Sequence, residues 1–269
     1  MIAIATASQK GGVGKTTLCI NLAYSLARRG WNTLLVDTDP QGGVGLSLAR
    51  STRSKQGFYD LLTGEKNFSK LVLSTRLPEL RILPSGQYDA CARRGWSQAE
   101  VPARIADLLR MAELNGVDCV LLDTAAGLNG MSETVVKASD YVVLPQQAEP
   151  LAVRSVPHML ETLSRFRAEG SGVKVAGILL TMVMNEHQIS QKVVSELRSL
   201  LPADLMFDQT IPRVASFLEA SAMGVPVALI KRNPPPEALI FDQLAAEIEQ
   251  RTGLAQQRQS QASHASLLD

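Results

Sequence analysis

The stretch SQKGGVGKTTLC, Ser8 to Cys19, follows the apolar run IAIATA (residues 2–7) and opens a helical pattern. A β-branched strand, a glycine-rich turn and a Lys-Thr pair at a helix start are the setting in which main-chain N–H groups and the helix dipole hold a phosphate. Gly11, Gly12 and Gly14, with Val13 between them, let the backbone approach phosphate oxygens closely. Lys15 is then placed for the β- and γ-oxygens, and Thr16, followed by Thr17, offers a hydroxyl to Mg²⁺. The common spacing G-x-x-x-x-G-K-[ST] is kept in its second half and broken in its first. Gln9 stands where a glycine is expected, and Lys10 follows it.

Working outward, apolar runs recur at 33–39, 80–85, 119–125, 141–145, 174–183 and 205–211. They lack polar–apolar alternation, as strands covered on both faces do. Helical stretches lie between them at 16–29, 101–113, 151–167 and 189–201, and a last helix carries Ile240, Phe241, Leu244 and Ile248 on one face. Strand–helix alternation predicts an α/β fold with a doubly wound, mainly parallel sheet and helices on both faces. One domain is expected over residues 1–252, with a polar, disordered tail over 253–269.

The 27 Lys and Arg residues nearly balance 26 Asp and Glu, so nucleic acid would have to be met by a local patch. The apolar start is too short for a secretion signal, and no run approaches a membrane span, which points to a cytoplasmic protein. Cys19, Cys91 and Cys119 lack metal-site or disulfide spacing and read as reduced thiols. Asp37, Asp39 and Asp123 end apolar strands, the edge of an open α/β sheet where ligands bind.

The segment KGGVGKTT resembles the deviant Walker A motif of the ParA/MinD family of ATPases. TLLVDTDPQGG, CVLLDTAAG, GILLTMVMNEHQIS and TIPRVASFLEASAMGVPV resemble that family's later segments in order and spacing. The resemblance implies ATP and Mg²⁺ as cofactors and an ATP-dependent homodimer in which Lys10 reaches the other subunit's nucleotide. It further implies that Asp123 helps hold the Mg²⁺ shell, that Asp37 acts through metal-bound water and that Asp39 positions the attacking water. Pro212 and Arg213 fall where the family contacts the adenine side. The implied activity is slow hydrolysis, stimulated by a ParB-like or cargo-adapter protein, that segregates DNA or positions a cargo.

DNA-segregating members carry arginines where this chain has Glu186 and Ser216, and an acidic group facing phosphate is repelled. The alternative basic groups are Arg50, Arg53 and Lys55; Arg93 and Arg94; Lys192 and Arg198; and Lys231 and Arg232. The C-terminal segment lacks the basic, aromatic and apolar character of an interfacial membrane anchor. A metabolic ligase or ATP-driven maturation factor of the same fold is the alternative. The isolated cysteines oppose an iron–sulfur carrier.

Overall fold

The computed structural model describes residues 1–48, 56–63, 67–89 and 99–256. Eight strands form one sheet in the order β3-β4-β2-β5-β1-β6-β7-β8. They are β1 (Ile2–Thr6), β2 (Thr33–Asp37), β3 (Leu73–Ser74), β4 (Leu80–Leu83), β5 (Cys119–Asp123), β6 (Tyr141–Gln147), β7 (Lys174–Val183) and β8 (Met206–Pro212). Every pairing is parallel except that of β3 with β4 at one edge. The doubly wound architecture is as expected from the alternating pattern. The antiparallel edge is an addition too short to leave a pattern in the sequence.

Strand β1 shows why the sheet is apolar on both sides. Ile2 and Ile4 join a core with Leu18, Leu22, Leu26, Phe241, Leu244 and Ile248, whereas Ala3 and Ala5 join one with Phe58, Tyr59, Ile105 and Phe166. Successive side chains of a strand point to opposite faces, so every strand but the two-residue β3 serves both cores. Leu18, Leu22 and Leu26 of helix Lys15–Arg28 are fully buried, and each contributes ~2 kcal/mol by leaving water. Their cover is helix Glu237–Thr252, whose Phe241, Leu244 and Ile248 sit in the same core as expected, with Ile240 half-buried beside them.

A polar clamp locks these two helices. Glu249 accepts from Arg29 through Nε and, at 2.9 Å, through Nη2, and also from Trp31 Nε1 at 2.8 Å. The packed chain also runs beyond residue 252: Gly253 ends the helix with a left-handed φ of 74°, and Leu254 is buried. Residues 257–269, the basic groups Arg50, Arg53, Lys55, Arg93 and Arg94, and Cys91 lie outside the described residues. Among the described residues, no helix is long and apolar enough to cross a membrane.

Gly57 marks a close approach of two backbone segments. A Cβ there would lie 1.9 Å from the Pro84 carbonyl oxygen, so only glycine fits.

Candidate nucleotide site

The site forms where β1 ends between β5 and β6, with its neighbours running parallel and ending on the same side. That is the crevice at the carboxyl edge where open α/β sheets bind ligands. Gly12 and Gly14 take left-handed φ values of 75° and 87°, which turn the loop from strand into helix. Gly14 is the N-cap, with no side chain capping the first turn of helix Lys15–Arg28. Its first N–H groups therefore remain available to an anion. The loop is fixed from behind: the Thr181 hydroxyl donates to the Val13 carbonyl at 2.9 Å, and Gly127 N–H donates to the Ser8 carbonyl at 2.9 Å. Lys15 is buried, whereas Lys10, Gly11, Gly12 and Thr17 are exposed.

Strand register gathers the carboxylates. Asp37 of β2 pairs with Asp123 of β5, and Asp123 also pairs with Thr6 of β1. Both aspartates are fully buried. The Thr16 hydroxyl donates to Asp123 Oδ2 at 2.7 Å, while Asp123 Oδ1 is buried with no hydrogen-bond partner. Asp37 accepts from Val44 N–H at 3.0 Å and Asp39 N–H at 3.2 Å. Asp39 is half-buried, and its Oδ1 accepts from Gln41 N–H at 2.9 Å.

Burial, then the charge of Asp123, pushes the Asp37 carboxyl up to about 8. Burial also pushes Asp123 up to about 6, although the Thr16 hydroxyl and the Lys15 ammonium oppose the rise. Two buried acids and an orphaned carboxylate oxygen fit a cation, which would supply the missing positive charge. Among the described residues, no group of three or more His, Cys, Asp or Glu could hold a metal ion. A cation there would therefore take the rest of its shell from water or from the oxygens of a bound phosphate.

Beside the loop lies a cavity of about 440 Å³ with a mainly apolar lining that includes Val13, Thr17, Met182, Pro212, Arg213 and Phe217. Its volume and apolar lining suit a flat heterocycle. Pro212 and Arg213 thus join the wall of a pocket that the loop also borders. Lys10 points elsewhere: its Nζ donates to Gln147 Oε1 at 2.9 Å and to Glu149 Oε2 at 2.8 Å. Glu186 is exposed just beyond β7, and Ser216 lies in helix Ala215–Met223 with its Oγ buried and without a partner.

The structure thus gathers Gly11 to Thr17, Asp37, Asp39 and Asp123 at one edge, with Lys10 on the rim and Pro212 and Arg213 in the adjoining wall. Sequence reasoning missed Gln147 and Glu149, the partners of Lys10, and Met182 in the cavity wall. LPQQAEP carried a signal for the first two, because polar residues end an apolar strand on the ligand-binding edge. Met182 carried none, since nothing in its neighbourhood announces its left-handed φ of 53°.

A family profile described as an AAA domain matches residues 1–176. The chain is 36% identical over 251 residues to the chromosome-partitioning ATPase Soj of Thermus thermophilus, covering 92% of this chain and 95% of that protein. It is 33% identical over 238 residues to the chromosome partitioning protein ParA of Caulobacter vibrioides, covering 84% and 86%. The Pyrococcus horikoshii septum site-determining protein MinD, solved with Mg-ADP, shares the fold at a TM-score of 0.76 and 20% identity, covering 94% and 98%. Cobyrinic acid a,c-diamide synthase of Mycobacterium smegmatis, solved with an ATP analog and magnesium, aligns at a TM-score of 0.71 and 25% identity, covering 91% and 93%. Profile, motifs and overall likeness agree that the chain belongs to the ParA/MinD family of deviant Walker A ATPases.

Proposed function

We propose that this protein is an ATP-operated positioning switch. It binds ATP with Mg²⁺, pairs with a second copy through Lys10, and hydrolyses ATP slowly until a ParB-like or cargo-adapter protein speeds the step. The observation that carries this reading is the position of Lys10. Its ammonium lies on the exposed rim, bonded to Gln147 and Glu149, while the buried Lys15 already serves the interior of the loop. A second, rim-mounted cation suits a phosphate that arrives with another subunit, as a trans-acting positive finger does.

Within one protomer, the N–H groups of Gly11 to Thr17 and the Lys15 ammonium would hold the polyphosphate. The apolar cavity walled by Pro212, Arg213 and Phe217 would orient the base. The Thr16 hydroxyl and Asp123, with Asp37 behind them, would hold Mg²⁺, which would supply neutralisation of phosphate charge. Asp39 would accept a hydrogen bond from the attacking water and fix its direction. Partitioning of DNA is the task of the named relatives Soj and ParA, and here a nucleoid track would rest on basic groups other than positions 186 and 216.

Sedimentation of the purified chain with ATP and Mg²⁺ tests the switch. The wild type pairs, whereas Lys10→Ala binds ATP yet stays monomeric; pairing by the variant removes the trans role. ATP turnover that requires a carboxylate co-substrate and an ammonia or amine donor, and yields an amide with release of phosphate, would instead establish the ligase alternative, in line with the synthase fold likeness.

A further inference from the structure

Lys10 is tied to more than its ion pair. Gln147, which accepts from Lys10 Nζ at 2.9 Å, donates through Nε2 to Met182 Sδ at 2.8 Å. Met182 is the only described residue other than glycine with a positive φ, at 53°, and it lines the apolar cavity beside the loop. A side-chain-bearing residue in that region carries local strain and persists where its surroundings hold it. The Gln147 amide therefore spans the gap between a strained cavity wall and the rim lysine. Glu149, at 2.8 Å from the same ammonium, stands where helix Pro150–Ala168 begins. Lys10, Gln147 and Glu149 come from β1's loop and from the end of β6, neighbours in the sheet, so their juxtaposition follows from the topology.

We propose that Gln147 is a positioning residue: it holds Lys10 at home on Glu149 while the cavity is empty, and releases it when a base enters and shifts Met182. This inference rests on the reading of Lys10 as the residue that serves a second copy. It adds that the lysine is withheld within the protomer and that the base, not the phosphate, frees it. A flexible ammonium held by one charged and one neutral acceptor is withdrawn from other partners without being buried. Opposite substitutions at Gln147 then have opposite signs. Gln147→Glu gives Lys10 a second carboxylate and tightens the latch, whereas Gln147→Leu removes an acceptor and loosens it.

Two readouts decide the matter. In the first, wild-type protein with Mg²⁺ is treated with the N-hydroxysuccinimide ester of acetic acid. Acylation of Lys10 is measured by peptide mass spectrometry against the exposed Lys70, with ADP, with pyrophosphate and with neither. ADP is expected to raise Lys10 modification about fivefold, the equivalent of losing one ordinary hydrogen bond, and pyrophosphate to leave it unchanged. Equal effects of the two, or none from ADP at saturation, overturn the coupling.

In the second, the ATP concentration that gives half-maximal pairing is measured by sedimentation. It is expected to rise about fivefold in Gln147→Glu and fall by a similar factor in Gln147→Leu. Shifts in the same direction overturn the positioning role, since a purely structural residue would weaken both. The acylation arm uses unsubstituted, ADP-bound protein, so it reports even if Lys10→Ala proves able to pair and the underlying reading fails.

Discussion

Replacing Asp37 by Asn should make the nucleotide-free protein more stable at alkaline pH while leaving it nearly unchanged at pH 5. Asp37 is fully buried beside Asp123, and its carboxyl is raised from an ordinary value of 3.8 to about 8. For an acid whose native value is raised, the stabilising contribution is complete below its unfolded value. That contribution declines as pH rises and is gone above about 8. Between pH 5 and pH 8 the native chain keeps a proton that the unfolded chain has released, which costs the folded state ~1.4 kcal/mol per pH unit and up to ~4 kcal/mol in all.

Asn does not titrate, and its single carbonyl oxygen keeps one of the two N–H donors, Val44 or Asp39, losing ~1 kcal/mol. Counting the penalty from the unfolded value of 3.8, the variant should therefore lie within ~1 kcal/mol of the wild type at pH 5 and be ~4 kcal/mol more stable at pH 8. Urea unfolding of the full chain in EDTA, without nucleotide, measures both differences. A difference of the same size at the two pH values would refute the reasoning, because it would mean that Asp37 is ionised in the native protein throughout.

Three further outcomes follow from the packing and the charge. Glu249→Ala leaves Trp31 Nε1 and Arg29 without their acceptor and should cost ~3 kcal/mol by urea unfolding, with Glu249→Gln costing less because one acceptor survives. Gly57→Ala drives a methyl group into the Pro84 carbonyl and should lower stability by at least ~3 kcal/mol, or prevent folding, as judged by thermal melting and soluble yield. Glu186→Arg replaces a repelling charge with a phosphate contact. It should raise the affinity of the ATP-bound form for duplex DNA at least about fivefold and steepen its salt dependence by about one phosphate, measured by fluorescence anisotropy; no change would show that this loop does not face DNA.

Much of the fold was legible because its strands are covered on both faces, and such strands appear as bare apolar runs. TLLVD and CVLLD each end in the aspartate that the register then places side by side, so the carboxylate edge was readable before any pairing was known. Helices Gly130–Ala138 and Ala215–Met223, nine residues each, are too short to show a clear helical period in the sequence. Burial of Leu254, past the glycine that ends the helix, has no signal in the sequence because one apolar residue has no period. The partners of Lys10 were hidden for a different reason: they lie 137 and 139 residues away in the chain, and only the adjacency of β1 and β6 brings them together.

The clamp of Glu249 on Arg29 and Trp31 also orders events during synthesis. The phosphate loop and its helix precede the helix that covers them, Glu237–Thr252, by a long stretch of chain, Trp31 and Glu249 lying 218 residues apart. The strands flanking β1 are late as well, since β5 and β6 begin at residues 119 and 141. Non-local closure of this kind withholds a folded core until these distant segments have all been made. A prematurely terminated product thus carries an intact phosphate-loop sequence on a helix whose apolar face lies bare. Exposed apolar surface of that kind is what makes incompletely folded chains prone to aggregation.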